Sequence, residues 1–391
     1  MTMIKTIRVM LIPNNKQLTR LFQFAGSARY AYNWVLEQEK KNHETGGKFI
    51  NDYELRKRFT VFKNEPENRW LYTVSNNVCK QAIKDAVIAY KKFFKGLAEY
   101  PKHKSRKRST LKFYVDTEKI KFTATHVKLE SIAQSKKKNR QSANWLRLAE
   151  RERIPIGAKY FNPRISFDGL NWFLTVGIEA QPQECSASND GIGIDLGVKD
   201  LAICSTGHVY QNINKTSRVR RLKKKQRRLQ RKISRKYEKN KKGERYEKTC
   251  NIIKSEKQLL RVTHKLTNIR TNYIQQTTTE IIKREPSFIV MEDLNVKGLM
   301  KNKHLAKAVQ EQKLAEFYRI MQYKSEWHGI KFITADRFYP SSKTCSVCGN
   351  IKKDLKLSDR TYYCEHCGAV INRDLNASMN LYQYGKSVIN H

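Results

Sequence analysis

The chain has 391 residues, enough for about two to four domains, and its hydrophobic content of 39% is adequate for packed cores. It carries 78 lysines and arginines against 36 aspartates and glutamates, a formal net charge of +42. Self-repulsion of this size opposes compaction, so we expect an extended nucleic acid as partner rather than a small acidic ligand. No apolar run approaches the length of a membrane span, and the N-terminus lacks the apolar core of a signal peptide.

The N-terminal part of the chain combines strand and helix patterns. Ile4 to Ile12 alternates as a short strand. Apolar residues spaced three and four apart predict helices from Gln17 to about Lys41 and from about Asn76 to Lys95. A basic loop, Tyr100 to Arg108, follows.

From Leu111 to Ile178 the composition favours strands, and Asp168-Gly169 is a hairpin turn signal. The predicted strands are Leu111–Val115, Ile154–Ile156, Arg164–Phe167 and Trp172–Val176. The helical block is therefore predicted to be inserted into a β-rich domain that begins at the first strand. Gln181 to Asn189 reads as a polar linker.

The pattern changes after the linker. Gly191–Gly197 is predicted to be a buried strand that ends in Asp195, and Leu201–Cys204 to be a returning strand. Ser287–Glu292 is a second apolar strand that ends in an acid, and Lys331–Thr334 is a further strand.

The segment from Lys215 to Lys248 holds 18 lysines and arginines and three glutamates. Apolar residues at helical spacing predict an ordered helix with a thin apolar stripe, and a second helix follows to about Lys283. We interpret the first helix as one that follows nucleic-acid phosphates; the alternative is a solvated charged surface. With the basic loop, it supplies the predicted nucleic-acid contacts: Lys102, Lys104, Arg106, Arg218, Arg221, Lys223, Lys224, Arg227, Arg228, Arg231 and Lys232.

Two Cys-x-x-Cys motifs lie near the C-terminus, separated by fifteen residues and each followed by glycine. Their cysteines are Cys345, Cys348, Cys364 and Cys367. This spacing predicts a tetrahedral Zn²⁺ site rather than four unrelated thiols, and a closed four-thiolate site is structural. The other cysteines are scattered and form no disulfide framework, which indicates a reducing, intracellular compartment; they are Cys79, Cys185, Cys204 and Cys250.

Three acidic residues form a candidate catalytic set. Asp195 and Glu292 each end an apolar strand, and Asp374 begins a predicted helix seven residues after Cys367. Ligands commonly bind at the ends of strands in α/β sheets. Converging carboxylates repel one another, and hard Mg²⁺ or Mn²⁺ ions relieve that repulsion. Two such ions hydrolyse phosphodiesters.

The three segments that contain these acids resemble the ribonuclease-H-like (RuvC) nuclease core of the transposon-encoded TnpB, or OrfB, family. They are Gly193–Asp200, Ile289–Leu294 and Arg373–Ala377. Arg337–Gly349 resembles the segment that leads into the family's zinc ribbon. Upstream, Arg29–Trp34 with Trp70-Leu71 resembles the family's helical recognition region, and Tyr100–Lys102 its basic turn. The resemblance covers essentially the whole chain, and its most specific parts are the zinc-ribbon and Asp374 motifs.

The resemblance implies a mixed α/β multidomain fold: a RuvC-like α/β core with an inserted four-cysteine zinc ribbon, preceded by a β-barrel-like domain that carries a helical insertion. The implied boundaries are 1–14 for the first strand of the β-rich, wedge-like domain, 15–105 for the helical recognition domain, 106–185 for the rest of the β-rich domain, 190–340 for the nuclease core, 341–370 for the zinc ribbon and 371–391 for the C-terminal core segment.

The resemblance also implies an RNA-guided DNA endonuclease, related to compact type V CRISPR effectors. Such a protein binds a guide RNA made from the transposon end, recognises a short motif beside the target in double-stranded DNA, and cuts with one RuvC site that uses Mg²⁺ or Mn²⁺. It implies a cytoplasmic prokaryotic protein, nucleoid-associated on DNA and monomeric in its RNA complex, with no membrane partner.

Two further positions bear on the nuclease site. Asn372 stands where the family often has an acid, two residues before the last catalytic carboxylate. Arg360 lies four residues before Cys364, and one hypothesis is that the zinc ribbon brings its fixed positive charge toward the nuclease site. There it offsets charge building on the phosphate; the alternative is a surface or guide-contacting arginine.

Three other functions remain open. A transposase with strand-transfer activity uses the same acidic triad and metal chemistry. A guide-directed, non-cleaving DNA-binding repressor is marked by loss of a triad acid, and all three are present. A zinc-ribbon RNA-binding protein leaves the strand-ending acids without a role.

Overall fold

A computed structural model describes residues 3–132, 143–181, 190–356 and 359–390. The chain divides into two compact units, Thr2–Ala180 and Gln181–His391. Most of the predicted linker, with Cys185, lies outside the described residues. Among the described helices, none is long and apolar enough to span a bilayer.

The first unit contains a seven-stranded antiparallel sheet. Its strands are β1 (Met3–Ile12), β2 (Leu111–Tyr114), β3 (Lys121–Phe122), β4 (His126–Lys128), β5 (Trp145–Leu148), β6 (Tyr160–Phe167) and β7 (Trp172–Ala180). They are ordered β2-β6-β7-β1-β5-β4-β3, so β2 and β3 are the edges. Barrel-like closure of this sheet stays a prediction.

Three helices separate β1 from β2; the sequence predicts the first and the third, and the second was not predicted. They are α1 (Asn15–Glu44), α2 (Asp52–Asn64) and α3 (Asn76–Phe94), with a 3-10 helix at Pro66–Thr73. Asn14 begins α1 with a capping box, accepting from the Gln17 backbone N–H while its own N–H donates to the Gln17 side chain. The helices and the sheet share one apolar core.

One predicted strand is wrong. Ile154–Ile156 is an irregular turn. Pro155 has no N–H to donate to a ladder, and Gly157 follows with a φ of +79°. Ile154 is nevertheless buried in the core, so its apolar character reports burial rather than strand pairing.

The second unit is built on a five-stranded sheet ordered β10-β9-β8-β13-β14, with two separate hairpins. Its strands are β8 (Ile192–Leu196), β9 (Asp200–Cys204), β10 (Val209–Gln211), β11 (Lys241–Lys242), β12 (Arg245–Tyr246), β13 (Phe288–Glu292), β14 (Lys331–Ala335), β15 (Thr361–Tyr363) and β16 (Val370–Asn372). β8, β9 and β10 pair antiparallel, whereas β8, β13 and β14 are parallel.

The described residues of this unit form six α-helices: α4 (Ser217–Lys239), α5 (Cys250–Ile282), α6 (Val296–Leu299), α7 (Ala306–Gln312), α8 (Leu314–Trp327) and α9 (Arg373–Asn390). α4 and α5 pack through the predicted apolar stripe, with Val219 and Leu229 against Val262 and Leu266. The basic helix is shorter than predicted, because β11 and β12 form a hairpin that turns at Gly243, where φ is +56°.

Candidate functional site

The sheet places Asp195 and Glu292 beside each other. β8 and β13 are parallel, and Met291 pairs with Ile194 at the last matched position. Asp195 and Glu292 are the next residues on their strands. Both carboxylates therefore lie at the carboxyl edge of the sheet, as the sequence predicts.

Helix α9 packs directly onto these two strands. A Cβ added at Gly193 would lie 2.2 Å from the carbonyl oxygen of Ser378, and one added at Gly385 would lie 2.4 Å from the side chains of Phe288 and Val290. Only glycine permits so close an approach at either position. These two glycines fix which face of the sheet the helix covers.

The same contacts bring Asp374 to the two strand acids. Asp195 lies two residues after Gly193, and Glu292 two after Val290, so both point to the face that α9 covers. Asp374 lies one helical turn before Ser378, on the side of α9 that touches β8. The three predicted acids thus converge, with Asp374 in the first turn of its helix, where the helix dipole favours a carboxylate.

The surroundings of Asp195 include the charges of the other two acids. Burial, followed by the carboxylates of Asp374 and Glu292, raises the pKa of Asp195 well above its usual range, and Arg373 opposes the shift. Burial also raises the pKa of Glu292, against a hydrogen bond from Ser341. All three acids are half-buried. Their oxygens are less tightly grouped than the sulfurs described below: within the described parts of the chain, only the cysteines bring three or more ligand atoms within 4.8 Å of one another.

Three residues that sequence reasoning missed support this site. Ser341 Oγ donates to Glu292 Oε1 at 3.4 Å. Asn380 Nδ2 donates to the carbonyl oxygens of Ser341 and Thr344, both at 2.7 Å. Asn376 Nδ2 donates to Thr344 O at 2.6 Å, and its Oδ1 accepts the Ser346 N–H at 2.9 Å. Two buried asparagines four residues apart on a helix were the available signal.

Asn372 caps α9. Its Oδ1 accepts the N–H of Asp374 at 3.0 Å and of Leu375 at 3.2 Å. Asparagine and aspartate are similarly good at satisfying the first N–H groups of a helix. Asn372 therefore caps the helix, a structural role that either asparagine or aspartate can fill.

The four cysteine sulfurs form one cluster, and all four Sγ atoms lie within 4.8 Å of one another. Cys345 Sγ is 3.7 Å from Cys367 Sγ, and Cys348 Sγ is 3.6 Å from Cys364 Sγ. Four sulfurs about 2.3 Å from a tetrahedral Zn²⁺ are about 3.8 Å apart, so the cluster fits zinc. These separations are far too long for disulfide bonds.

Each cysteine pair sits on the same kind of turn. The Gly349 N–H donates to Cys345 O, and the Gly368 N–H to Cys364 O, both at 2.9 Å. Both glycines have positive φ, 77° and 72°, a backbone conformation that glycine adopts without steric cost. Tyr362 is fully buried between the turns and donates to Lys343 O at 3.0 Å.

Arg360 lies at the border between the zinc ribbon and α9. Its backbone carbonyl accepts the Arg373 N–H at 3.0 Å, one residue before Asp374, and its side chain is exposed. A catalytic role for this side chain stays a prediction.

The predicted nucleic-acid contacts on α4 form one exposed basic surface. Lys223 is the exception, because it is half-buried and pairs with Glu311. Within the described residues, the others have exposed side chains without a hydrogen bond or ion pair; they are Arg218, Arg221, Lys224, Arg227, Arg228, Arg231 and Lys232. We refer to these seven as the α4 basic surface.

The three predicted contacts in the basic loop have different surroundings. Lys102 is exposed and pairs with Glu99 at 2.8 Å, and Arg106 is exposed. The Lys104 ammonium lies 3.0 Å from the centre of the Tyr32 ring, and burial lowers its pKa to about 8. Lys104 is thus held within its own unit by a cation–π contact, which makes it the least available of the three for phosphate.

Three family profiles match successive parts of the chain. Residues 1–48 match a helix-turn-helix domain of the OrfB group, 175–303 a profile described as "Probable transposase" of that group, and 315–381 the "Cas12f1-like, TNB domain". Together they account for more than half of the chain. The chain belongs to the TnpB (OrfB) family.

Relatives of this TnpB-family chain extend over almost its full length. A protein of Streptomyces pristinaespiralis, named "Putative RNA-guided DNA endonuclease", is 29% identical over 95% of this chain and 87% of its own. "Putative RNA-guided DNA endonuclease InsQ" of Escherichia coli (strain K12) is 26% identical over 100% of this chain and 94% of its own. The fold is similar to that of a protein solved as "the Cas12f1-sgRNA-target DNA complex", with a TM-score of 0.54 at 14% identity, covering 97% of this chain and 99% of that one.

Proposed function

We propose that this protein is an RNA-guided DNA endonuclease that hydrolyses DNA phosphodiesters at Asp195, Glu292 and Asp374. The observation that carries the proposal is their convergence at one edge of the sheet, which α9 imposes through Gly193 and Gly385. Clustered, half-buried carboxylates destabilise a protein unless cations share the site. The names of the two relatives support the same activity.

The chain's own residues then have separate tasks. Asp195 and Glu292 present carboxylate oxygens from the rigid sheet, Asp374 presents one from α9, and Ser341 orients Glu292. These carboxylates would hold two Mg²⁺ or Mn²⁺ ions, which supply an activated water and stabilise the leaving oxygen. Arg373, next to Asp374, partly offsets the negative charge around Asp195.

The cysteine cluster has a structural role in this proposal. It would hold one Zn²⁺ with no open coordination position, so the zinc takes no part in hydrolysis. Asn376 and Asn380 hold the first turn of the cluster against α9. Helix α9 also carries Asp374. The ribbon therefore helps to set the position of a catalytic acid. We propose that the ribbon, residues 341–370, binds the target nucleic acid.

Sequence specificity comes from base pairing between the target and a guide RNA made from the transposon end, while the protein contacts the nucleic-acid backbones. The α4 basic surface and the net charge of +42 suit sequence-independent phosphate contacts. We assign recognition of the target-adjacent motif to the helical block from about Asn51 to Lys95 and its β-rich neighbour. The protein works as a monomer in this complex.

Guided cleavage tests the proposal. We would sequence the RNA that co-purifies with the protein and then incubate the complex with matched and mismatched plasmid DNA in Mg²⁺. We expect one discrete RNA species and cutting of the matched plasmid only. Absence of a bound RNA, or cutting that ignores the match, would contradict the proposal.

A second candidate is transposition, favoured by the "Probable transposase" description of the profile over 175–303. Strand transfer uses a 3′ hydroxyl in place of water at the same acids. The same reaction mixtures distinguish the two, because a transposase yields joined DNA products and a nuclease only free ends.

A further inference from the structure

Four aromatic side chains surround Tyr90 near the C-terminal end of α3. The buried Tyr90 ring lies 5.7 Å from Phe49, 6.1 Å from Phe94 and 5.6 Å from Tyr100, measured between ring centroids. Phe93 completes the set, 5.7 Å from Phe94 and 5.3 Å from Tyr100. We call Phe49, Phe93, Phe94 and Tyr100 the aromatic patch.

The aromatic patch is open to solvent and well fixed. Phe94 is 60% exposed, Tyr100 51%, and the adjacent Leu97 74%. The Tyr90 and Tyr100 hydroxyls lie 3.2 Å apart, and the Leu97 N–H donates to Lys92 O at 2.9 Å. A contiguous apolar surface of this kind marks an interaction site. The rings need little further ordering to bind a partner.

The surroundings of the aromatic patch are positively charged. Lys91, Lys92 and Lys95 are exposed at the end of α3. The one acid between Lys91 and His103 is Glu99, and it already pairs with Lys102. The matching partner therefore has flat apolar faces and a negative backbone, which describes single-stranded nucleic acid.

We propose that the aromatic patch binds unpaired bases of the guide RNA by stacking, with the surrounding lysines on the adjoining phosphates. This inference rests on the proposed function, which supplies the RNA. A displaced DNA strand is single only after target unwinding, whereas the guide is bound throughout. An exposed apolar surface is unfavourable in water at every stage of the reaction, so the partner that is always bound is its better occupant. That partner is the guide RNA.

Affinity and its salt dependence test the stacking. The probes are the co-purifying RNA and a fluorescein-labelled oligo(U) 12-mer, each titrated into the full-length, RNA-stripped protein. Phe94→Ala should weaken oligo(U) binding by about fivefold or more, because each stacked base returns to water, with no change in the salt slope. Phe94→Trp should restore the affinity. Replacing Lys91, Lys92 and Lys95 by Gln should instead flatten the slope, by about 0.7 for each phosphate that is no longer neutralised.

Controls separate stacking from other apolar contacts. Ile156→Ala removes an exposed apolar side chain from the same unit, where Ile156 is 64% exposed, and should leave RNA affinity unchanged. Phe94→Leu keeps apolar bulk without a ring face, so wild-type affinity in this variant would overturn the proposal.

Two further outcomes are decisive. Self-association that Phe94→Ala abolishes, with RNA affinity intact, would assign the patch to a second copy of the chain and overturn the proposal. A wild-type protein that binds no RNA would overturn both the patch and the proposed function. If the wild type binds RNA strongly and Phe94→Ala binds it equally well, the stacking role of the aromatic patch is rejected and the proposed function stands.

Discussion

At the scale of single residues, Asp195 experiences the strongest electrostatic conflict in the candidate site. Burial and the carboxylates of Asp374 and Glu292 raise its pKa above the value of an unfolded chain. The folded protein then binds the Asp195 proton more tightly than the unfolded protein does. The free energy of unfolding therefore falls as pH rises from about 4 to the raised pKa, and stays low above it.

Asp195→Asn removes this charge while keeping the side-chain shape. In Mg²⁺-free buffer at pH 7, with the structural Zn²⁺ left in place, we expect the unfolding midpoint temperature of the variant to exceed that of the wild type by a few degrees, and the difference to shrink toward pH 4. Adding Mg²⁺ should stabilise the wild type more than the variant, since bound ligand stabilises the folded state. Thermal unfolding followed by circular dichroism measures this.

The matched control is Asp354→Asn, because Asp354 is exposed in the zinc ribbon. It should change the midpoint little at either pH. An Asp195→Asn protein that is less stable than wild type in Mg²⁺-free buffer at pH 7 would contradict the account of carboxylate repulsion.

The acids were predictable from sequence, but their supports were not. Asp195 and Glu292 follow apolar runs, and strand ends meet at one edge, so a linear pattern predicts their convergence. The role of Asn376 and Asn380 depends on carbonyl groups more than thirty residues away in the sequence. Nothing local to an asparagine specifies so distant a partner. The same holds for Lys104 of the basic loop, whose cation–π contact depends on Tyr32 of helix α1.

At the scale of elements, the zinc ribbon depends on its four sulfurs. The ribbon core is small: Cys345, Tyr362 and Cys364 are its fully buried members. Such a core cannot hold the fold without metal. Cys345→Ser should lower zinc to less than one per chain and increase proteolysis between about Ser341 and Gly368.

Elemental analysis and limited proteolysis measure these effects. Cys250→Ser is the matched control, because Cys250 is an exposed thiol outside the cluster, and it should keep one zinc per chain. Wild-type protein without zinc would refute the assignment of the cluster.

Helix α4 makes a second prediction at this scale. Replacing Lys224, Arg227, Arg228 and Arg231 by Gln should weaken the binding of unrelated guide RNAs alike. It should also flatten the salt slope by about 0.7 to 0.9 for each phosphate that the variant no longer neutralises. The target-adjacent motif should not change. Fluorescence titration between low and moderate salt measures the slope.

Lys223→Gln provides the comparison, because the Lys223 ammonium is already paired with Glu311. We expect its salt slope to match the wild type. A salt slope equal to that of the wild type in the variant with four replacements would show that the α4 basic surface is only a solvated charged surface.

Element boundaries were harder to predict than the elements themselves. The basic composition of α4 continues past Lys239 to Lys248, but Gly243 turns the chain into a hairpin. Ile154–Ile156 has strand composition, yet it forms a turn in which Ile154 is buried and Ile156 is exposed. Periodicity reports which side of a segment is buried, and tertiary packing decides where the segment ends.

At the scale of the whole molecule, binding and cutting are assigned to different residues. Positive charge is distributed along the chain to a net +42, whereas the three acids occupy one sheet edge. A polyanion held by many dispersed contacts loses little affinity when one of these acids is changed. Chemistry at the phosphate, by contrast, depends on all three acids together.

The most direct test of the account compares target binding and cleavage by Asp374→Ala, with its guide RNA and Mg²⁺ present. We predict that DNA affinity matches the wild type while the cleavage rate falls at least about a hundredfold. Glu326→Ala, which removes an exposed carboxylate on α8 outside the candidate site, the ribbon and the α4 basic surface, should bind and cut normally. Cleavage by Asp374→Ala at the wild-type rate would contradict the central claim that Asp195, Glu292 and Asp374 form the nuclease site.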